Sequence, residues 1–211
     1  FLAYYAKCDQ LIQRFNDGED IHYETAKLIK NKMNRHEVKE EQARELAKRY
    51  TYSFLYGAGV KTIQRSLQKV FKDITSADVV TINDAFIQQY PEIQSFLLQR
   101  ENSENLLTAF GEVKPVARFQ EAQRRNFTLQ SSVSVAIKML METLANHPIK
   151  IMHVLHDEVW ISTPTETSLD SLIDEVSIEF EEKIKNTFRG FPCKGLLTIE
   201  KIGGKYNGRN K

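Results

Sequence analysis

The sequence predicts an α+β protein, with a first half over residues 1–120 that is helical up to a short hairpin and a second half over 121–211 that combines long helices with a further β-hairpin. Three patterns carry this expectation. Apolar residues before position 100 recur at three- and four-residue spacing, as on helices with one buried face. Residues from Leu106 to Arg118 alternate about Gly111, as a short hairpin would. From Ile149 to Thr163 the chain reads IKIMHVLHDEVWIST, two β-favouring segments interrupted by His156, Asp157 and Glu158.

In chain order, helices are expected over Ala3 to Phe15, Ile21 to Lys30, Val38 to Leu55, Lys61 to Lys72, Ser76 to Gln89 and Pro91 to Gln99. Gly57 and Gly59 should end the third of these, since glycine readily takes the left-handed conformation that follows a helix. A long helix from Ala122 to Ala145 separates the two hairpins. An amphipathic helix from Leu169 to Thr187 should cover the sheet, and Leu196 to Ile202 reads as a closing strand before a glycine-rich tail.

Composition narrows the function classes without choosing one. The 211 residues are 41% hydrophobic, enough for a real core, and the 29 basic residues are nearly balanced by 28 acidic ones. Any nucleic-acid contact must therefore rest on local clusters such as Arg44/Lys48/Arg49, Lys61/Arg65/Lys69, Arg124/Arg125 and the tail Lys201/Lys205/Arg209/Lys211. Each cluster also fits a solvated face. Cys8 and Cys193 show no zinc or disulfide spacing, as expected of a reducing cytoplasmic protein. No run nears the roughly 20 apolar residues of a membrane span, so no membrane partner is expected.

The most informative segment is Arg44 to Gly57, RELAKRYTYSFLYG. Arg44, Lys48, Tyr52 and Tyr56 recur every fourth residue and so form one stripe on a helix, half basic and half aromatic. Cations and flat rings in that order suit a nucleotide's phosphates and base. The plainer reading is a solvated helix face with half-buried tyrosines. In the later hairpin, adjacent carboxylates in an apolar run need water or a cation to offset desolvation. Mg²⁺ is commonly held by one or two carboxylates together with substrate phosphates, which makes Asp157 a candidate ligand and Glu158 its companion. A simple surface turn is the alternative.

The pattern R-x3-K-x3-Y-x3-YG, followed about a hundred residues later by HDE between strands, resembles motifs B and C of family A DNA polymerases, the DNA polymerase I family. The resemblance extends over most of the chain. Gly18 to His22 resembles the family's G-x-D-I-H segment, and Phe86 to Ile93 resembles its F-x3-YP-x-[VI] signature. Arg124 to Gln130 is similar to the N-x3-Q segment that opens a long palm helix. An arginine frequent four residues before that asparagine is replaced here by Ala122. FLYGAG at the end of motif B resembles the phage-type spelling more than the NFGxxYG of bacterial repair enzymes.

The resemblance implies a right-hand polymerase fragment: helical fingers over 1–120, and the C-terminal part of a palm with an antiparallel sheet over 121–211. It implies template-directed DNA synthesis, with dNTP and DNA template-primer as partners and Mg²⁺ as cofactor, in the cytoplasm or a phage host's cytoplasm. Arg44, Lys48 and His22 would meet the triphosphate, and Lys48 would aid catalysis. Tyr52 would lie against the incoming base and sugar, a tyrosine there resembling the version tolerant of nucleotides without a 3′ hydroxyl. Tyr56 and Gly57 would floor the nascent pair on the template side. Asn126 and Gln130, with Arg124 or Arg125, would reach the minor groove, where amides meet acceptors common to every base pair. Asp157, with Glu158, would bind metal, and His156 would brace the primer end.

Phe1 to Ala6 resembles the residues that follow motif A, whose D-x-S-x-x-E-x-R pattern is not found in this sequence. Two-metal phosphoryl transfer needs ligands on both attacking and leaving oxygens, so an N-terminal polymerase segment or subunit carrying motif A and the thumb is expected as a partner. Two other readings stay open: a non-catalytic DNA- or nucleotide-binding fragment, and an HD-type metal phosphohydrolase prompted by His156-Asp157 with His22, His36, His147 and His153.

Overall fold

The computed structural model describes residues 1–34, 37–109, 111–164, 169–193 and 196–200. Seven helices come first: α1 (Leu2–Ala6), α2 (Asp9–Asp17), α3 (Ile21–Lys32), α4 (Glu40–Leu55), α5 (Val60–Leu67), α6 (Ser76–Gln89) and α7 (Pro91–Glu101). A hairpin of β1 (Asn105–Leu107) and β2 (Val113–Pro115) leads into α8 (Glu121–Ala145). A second hairpin, β3 (Lys150–Leu155) and β4 (Glu158–Ser162), precedes α9 (Leu169–Thr187). Both hairpins are antiparallel. The α+β expectation holds, with sheets of only two strands each among the described residues.

Two boundaries differ from the sequence reading. The helix expected over Ala3 to Phe15 is broken at Lys7, which takes φ 54° and lets the Cys8 amide donate to the Ala3 carbonyl. The break sends α1 toward α7 and the Phe188–Phe191 segment that follows α9, while α2 continues along the first core. Residues 196–200 form no strand, although Leu196 and Leu197 still pack on the second core. The remainder of that expected strand, the basic tail and His36 lie outside the described residues.

The interior divides into two apolar clusters. One gathers α1 to α7, including Leu46, Tyr50, Phe54, Ile82, Phe86 and Leu97. The other gathers Val135, Leu140 and Leu144 of α8 with Leu172, Val176, Phe180 and Ile184 of α9. Phe1 and Tyr4 belong with the second cluster, their rings lying against Phe188 and Phe191. Helix α8 joins the two: Leu129 faces the first core and Val135 the second. Two of its buried hydroxyls find partners across the junction, Thr128 donating to the Leu107 carbonyl and Ser132 sharing a hydrogen bond with the Tyr5 hydroxyl. No described helix is long and apolar enough to cross a membrane.

Tyr50 sits at the centre of the first core with its hydroxyl oxygen buried and without a hydrogen-bond partner. Burial, with Asp84 nearby, pushes its phenol well above the ordinary range. An unsatisfied buried hydroxyl costs about 1–3 kcal/mol. Tyr50→Phe is expected to hold or raise the unfolding free energy, by up to about 1 kcal/mol, in a denaturant titration.

Candidate active site

Helix α4 has a clean division of faces. Ala43, Leu46, Ala47, Tyr50 and Phe54 are buried, which turns the Arg44, Lys48, Tyr52, Tyr56 stripe outward. Tyr52 and Tyr56 are 50% and 49% exposed, unusual for rings next to a well-packed core. Glu40 and Glu41 occupy the first turn, where the helix dipole favours acids. At the other end Gly57 takes φ 70°, its amide donating to the Phe54 carbonyl and that of Ala58 to Ser53, a Schellman closure that ends the helix at Leu55 with Tyr56 as its C-cap.

Helix α3 supplies the facing wall. Asp20 caps it, accepting from the His22 amide at 2.8 Å. The same carboxylate receives the Arg44 guanidinium, with Nε at 2.8 Å and Nη2 at 2.7 Å. Partial burial works against the charged form of Asp20. Arg44 and the His22 amide outweigh it and hold the carboxyl below its usual range. The His22 ring lies 6.1 Å from that of Tyr52, and its buried Nδ1 has no hydrogen-bond partner. Burial pushes the imidazole below its ordinary range; Asp20 opposes this and the Arg44 and Lys48 cations add to it. Lys48 makes no ion pair among the described residues. One free cation, one restrained guanidinium, a ring and an unpartnered imidazole nitrogen therefore share one surface.

Helix α8 meets the end of α4. Gln130 donates to the Tyr56 hydroxyl at 3.4 Å. Asn126 behaves differently from the expectation that both amides face outward together: it is 4% exposed and its side chain donates to the Ala122 carbonyl of its own helix. Arg124 donates to the carbonyls of Phe119 and Glu101. Arg125 lies 2.7 Å from the Glu101 carboxylate and over the Phe54 ring. Both arginines thus hold the C-terminal end of α7 instead of standing free.

The acidic pair lies at the tip of the second hairpin. His156 and Asp157 form a two-residue turn between paired Leu155 and Glu158, with His156 at φ 53°. A left-handed non-glycine costs about 1 kcal/mol, less for polar residues than for branched ones. His156, Asp157 and Glu158 are all exposed, so the desolvation penalty expected from the apolar run does not arise. Glu158 accepts from the Trp160 indole at 3.3 Å, while Asp157 has no hydrogen bond or ion pair among the described residues. Among those residues no group of three or more His, Cys, Asp or Glu gathers as a metal site. Asp157 fits one oxygen-ligand position for a hard cation and cannot enclose one by itself.

Sequence reasoning passed over Asp20 as partner of Arg44, and Glu101 as partner of Arg124 and Arg125. Asp20 had a usable signal, an aspartate directly before an apolar-periodic helix. Glu101 had none, because its partners lie more than 20 positions away in sequence.

Fold and site together define an α+β protein with a basic and aromatic helix face meeting an amide-bearing long helix, and with an acid-tipped hairpin elsewhere in the chain. The DNA polymerase family A model matches residues 1–189, and the chain belongs to that family. It is 23% identical over 184 residues to DNA polymerase I of Helicobacter pylori (strain ATCC 700392 / 26695), covering 86% of this chain and 19% of that protein. It is 29% identical over 162 residues to the DNA polymerase of Mycobacterium phage D29, covering 74% of this chain and 25% of the phage protein. The fold matches the POL domain of Pol1 from M. smegmatis, solved in complex with DNA primer-template and dNTP. That match has a TM-score of 0.68 at 18% identity and covers 86% of this chain and 34% of the other. The chain spans about a fifth to a quarter of the length of these curated relatives.

The His22 environment has a pH signature. Between its lowered value and the ordinary 6.5 the folded protein binds fewer protons than the unfolded chain. Stability therefore rises with pH across that window, being full above 6.5 and lost as the pH falls. The His22 imidazole should titrate below 6.5 by NMR, and Lys48→Met should move its midpoint upward. An unmoved midpoint would rule out the coupling to Lys48.

Proposed function

We propose that this chain is the nucleotide-binding and part of the catalytic region of a DNA polymerase that adds dNTP to a primer 3′ end by a two-metal mechanism. Residues 1–120 act as fingers and 121–211 as the C-terminal part of the palm. The observation that carries the reading is the outward stripe Arg44, Lys48, Tyr52 and Tyr56, with the unpartnered His22 nitrogen beside it. It is a surface with little structural use and the donors a triphosphate needs.

In this mechanism Lys48 and His22 hold the triphosphate, and Arg44 is kept ready by Asp20. Their charge lowers the cost of negative charge building on the leaving pyrophosphate. Tyr52 lies against the incoming base and sugar. Tyr56 and Gly57 form the floor for the templating base, and Gln130, already bonded to Tyr56, faces the minor groove. His156 braces the primer end. Asp157, with Glu158, would hold Mg²⁺, which when bound activates the primer hydroxyl and shields the phosphates. A single acidic tip leaves that cage incomplete, so the other ligands come from an N-terminal polymerase segment or subunit with motif A and the thumb. On this reading the chain is inactive alone and works in the cytoplasm, a phage host's if the gene is a phage's.

The hydrolase alternative loses its basis, because the chain belongs to the polymerase family and, among the described residues, no group of three or more His, Cys, Asp or Glu gathers about the exposed His156-Asp157 turn. A binding remnant is separated by experiment. Adding a polypeptide with motif A should restore primer extension by this chain in the presence of Mg²⁺, and persistent inactivity would favour the remnant.

In the complete enzyme, Asp157→Ala is expected to lower primer extension by on the order of a thousandfold or more while DNA affinity is kept. Near-normal extension would overturn the metal assignment. Tyr52→Phe should raise discrimination against dideoxynucleotides about tenfold or more, read as a ratio of incorporation efficiencies. An equal ratio in both enzymes would remove the sugar contact.

A further inference from the structure

The expectation for Arg125 is a DNA contact, yet its surroundings describe a different part. Its side chain is 18% exposed, and Glu101, its counter-ion at 2.7 Å, is 16% exposed. The ion pair does not lie along a hydrogen-bond direction, and Nε has no hydrogen-bond partner, so the guanidinium is held by charge and packing. Its Cζ stands 5.7 Å from the centroid of the Phe54 ring, within cation–π range. A Cβ built on Gly57 would come within 3.1 Å of Arg125 Cδ and 3.3 Å of Nη1, so this side chain fills the space beneath the glycine that closes α4. One arginine therefore touches α7 through Glu101 and the end of α4 through Phe54 and Gly57, from its own place in the first turns of α8.

The anchorage is set where cations belong. Glu101 is the last residue of α7, and its backbone carbonyl also takes the neighbouring Arg124. The negative end of the helix dipole and the carboxylate add at the same point. Between Phe54 on α4 and Gly57 just beyond it stand Leu55 and Tyr56, the latter bonded to Gln130 about one and a half helical turns along α8 from Arg125. Moving the arginine moves the floor on which Tyr56 stands.

We infer that Arg125 is a positioning residue that clamps the C-terminal end of α4 to α7 and α8, and so sets where Tyr56 and Gly57 meet the nascent base pair. The inference rests on the polymerase reading for its effect on nucleotide selection. A buried ion pair resists the loss of one partner more than the loss of both, because the remaining charge is left unpaired. That asymmetry separates positioning from simple stabilisation.

The test uses the full-length polymerase that contains this chain, with Arg125→Met, Arg125→Lys, Glu101→Gln and the Arg125→Met/Glu101→Gln pair. Arg125→Met should raise KM for the correct nucleotide by on the order of threefold to tenfold, with kcat nearly unchanged. Its DNA affinity should keep the parental dependence on salt. The double variant should recover the melting temperature lost in Arg125→Met without recovering KM. Should Arg125→Met fail to fold, Arg125→Lys carries the same measurement, since it keeps the ion pair and loses the planar contact with Phe54.

A salt slope lowered by about one, with KM unmoved, would make Arg125 a phosphate contact and overturn the inference. Recovery of KM together with melting temperature in the double variant would reduce the residue to stabilisation and overturn it too. Absence of extension by the unsubstituted enzyme overturns the polymerase reading and this inference with it. Extension that ignores every substitution overturns the inference alone.

Discussion

Helix α8 has to serve two apolar cores while its own first half carries polar side chains, and the molecule is organised around that constraint. Asn126, Thr128 and Ser132 are buried in the region where α8 passes from one core to the other. Each is satisfied, by the Ala122 and Leu107 carbonyls and by Thr128 with Tyr5 respectively. Buried groups left unmade are costly, so the bonds of Thr128 to Leu107 and of Ser132 to Tyr5 restrict α8 to one register against β1 and α1. With the register fixed, Arg125 falls under Gly57 and Gln130 falls opposite Tyr56. The end of the candidate nucleotide helix is thus located by polar contacts remote from it in sequence.

The stripe on α4 is prepared at its basic end and open at its aromatic end. Arg44 is spoken for by Asp20, so a triphosphate would have to share the guanidinium with a carboxylate or displace it. That contact cuts the rotamer entropy lost on binding, since the fork is already oriented. It also weakens the local positive field, which leaves Lys48 as the cation with most to gain from an anion. Tyr52 and Tyr56 keep about half their surface in water, which leaves ring faces that a flat ligand could cover.

Periodicity made the helices and both hairpins legible, along with the stripe and the acidic turn, because burial of one face is what writes periodicity into a sequence. The break at Lys7 was hidden, since a lysine carries no sign that it will adopt φ 54°; the packing of Phe1 and Tyr4 on Phe188 and Phe191 imposes it. Apolar composition points to a strand at Leu196, and Leu196 and Leu197 do pack, partly buried, on the second core, yet residues 196–200 join no sheet. For the site, spacing placed Arg44, Lys48, Tyr52 and Tyr56 on one face. Spacing said nothing of Asp20 or Glu101, because ion pairs between elements leave no local pattern. Asn126 and Gln130 show the limit plainly. Their shared four-residue spacing is real, but position on a helix does not decide exposure when a neighbouring element covers one and leaves the other.

The hairpin tip shows how two adjacent acids acquire unequal prospects. Asp157 belongs to the turn, while Glu158 is the first strand residue, paired with Leu155 and held on the face of Trp160 by the indole N–H. A cation arriving at the tip would find the aspartate unengaged and the glutamate partly committed. Hard cations of small radius accept few protein oxygens and keep the rest for water and phosphate, so one unengaged carboxylate at an exposed turn is a sufficient beginning. For the two-metal chemistry proposed above it would be an insufficient end, because the further ligands would have to come from outside the hairpin. On the metal-binding proposal, the geometry of this turn leaves Asp157 freer than Glu158 for the ligand role, and a second carboxylate would be a matter for whatever packs beside the exposed tip.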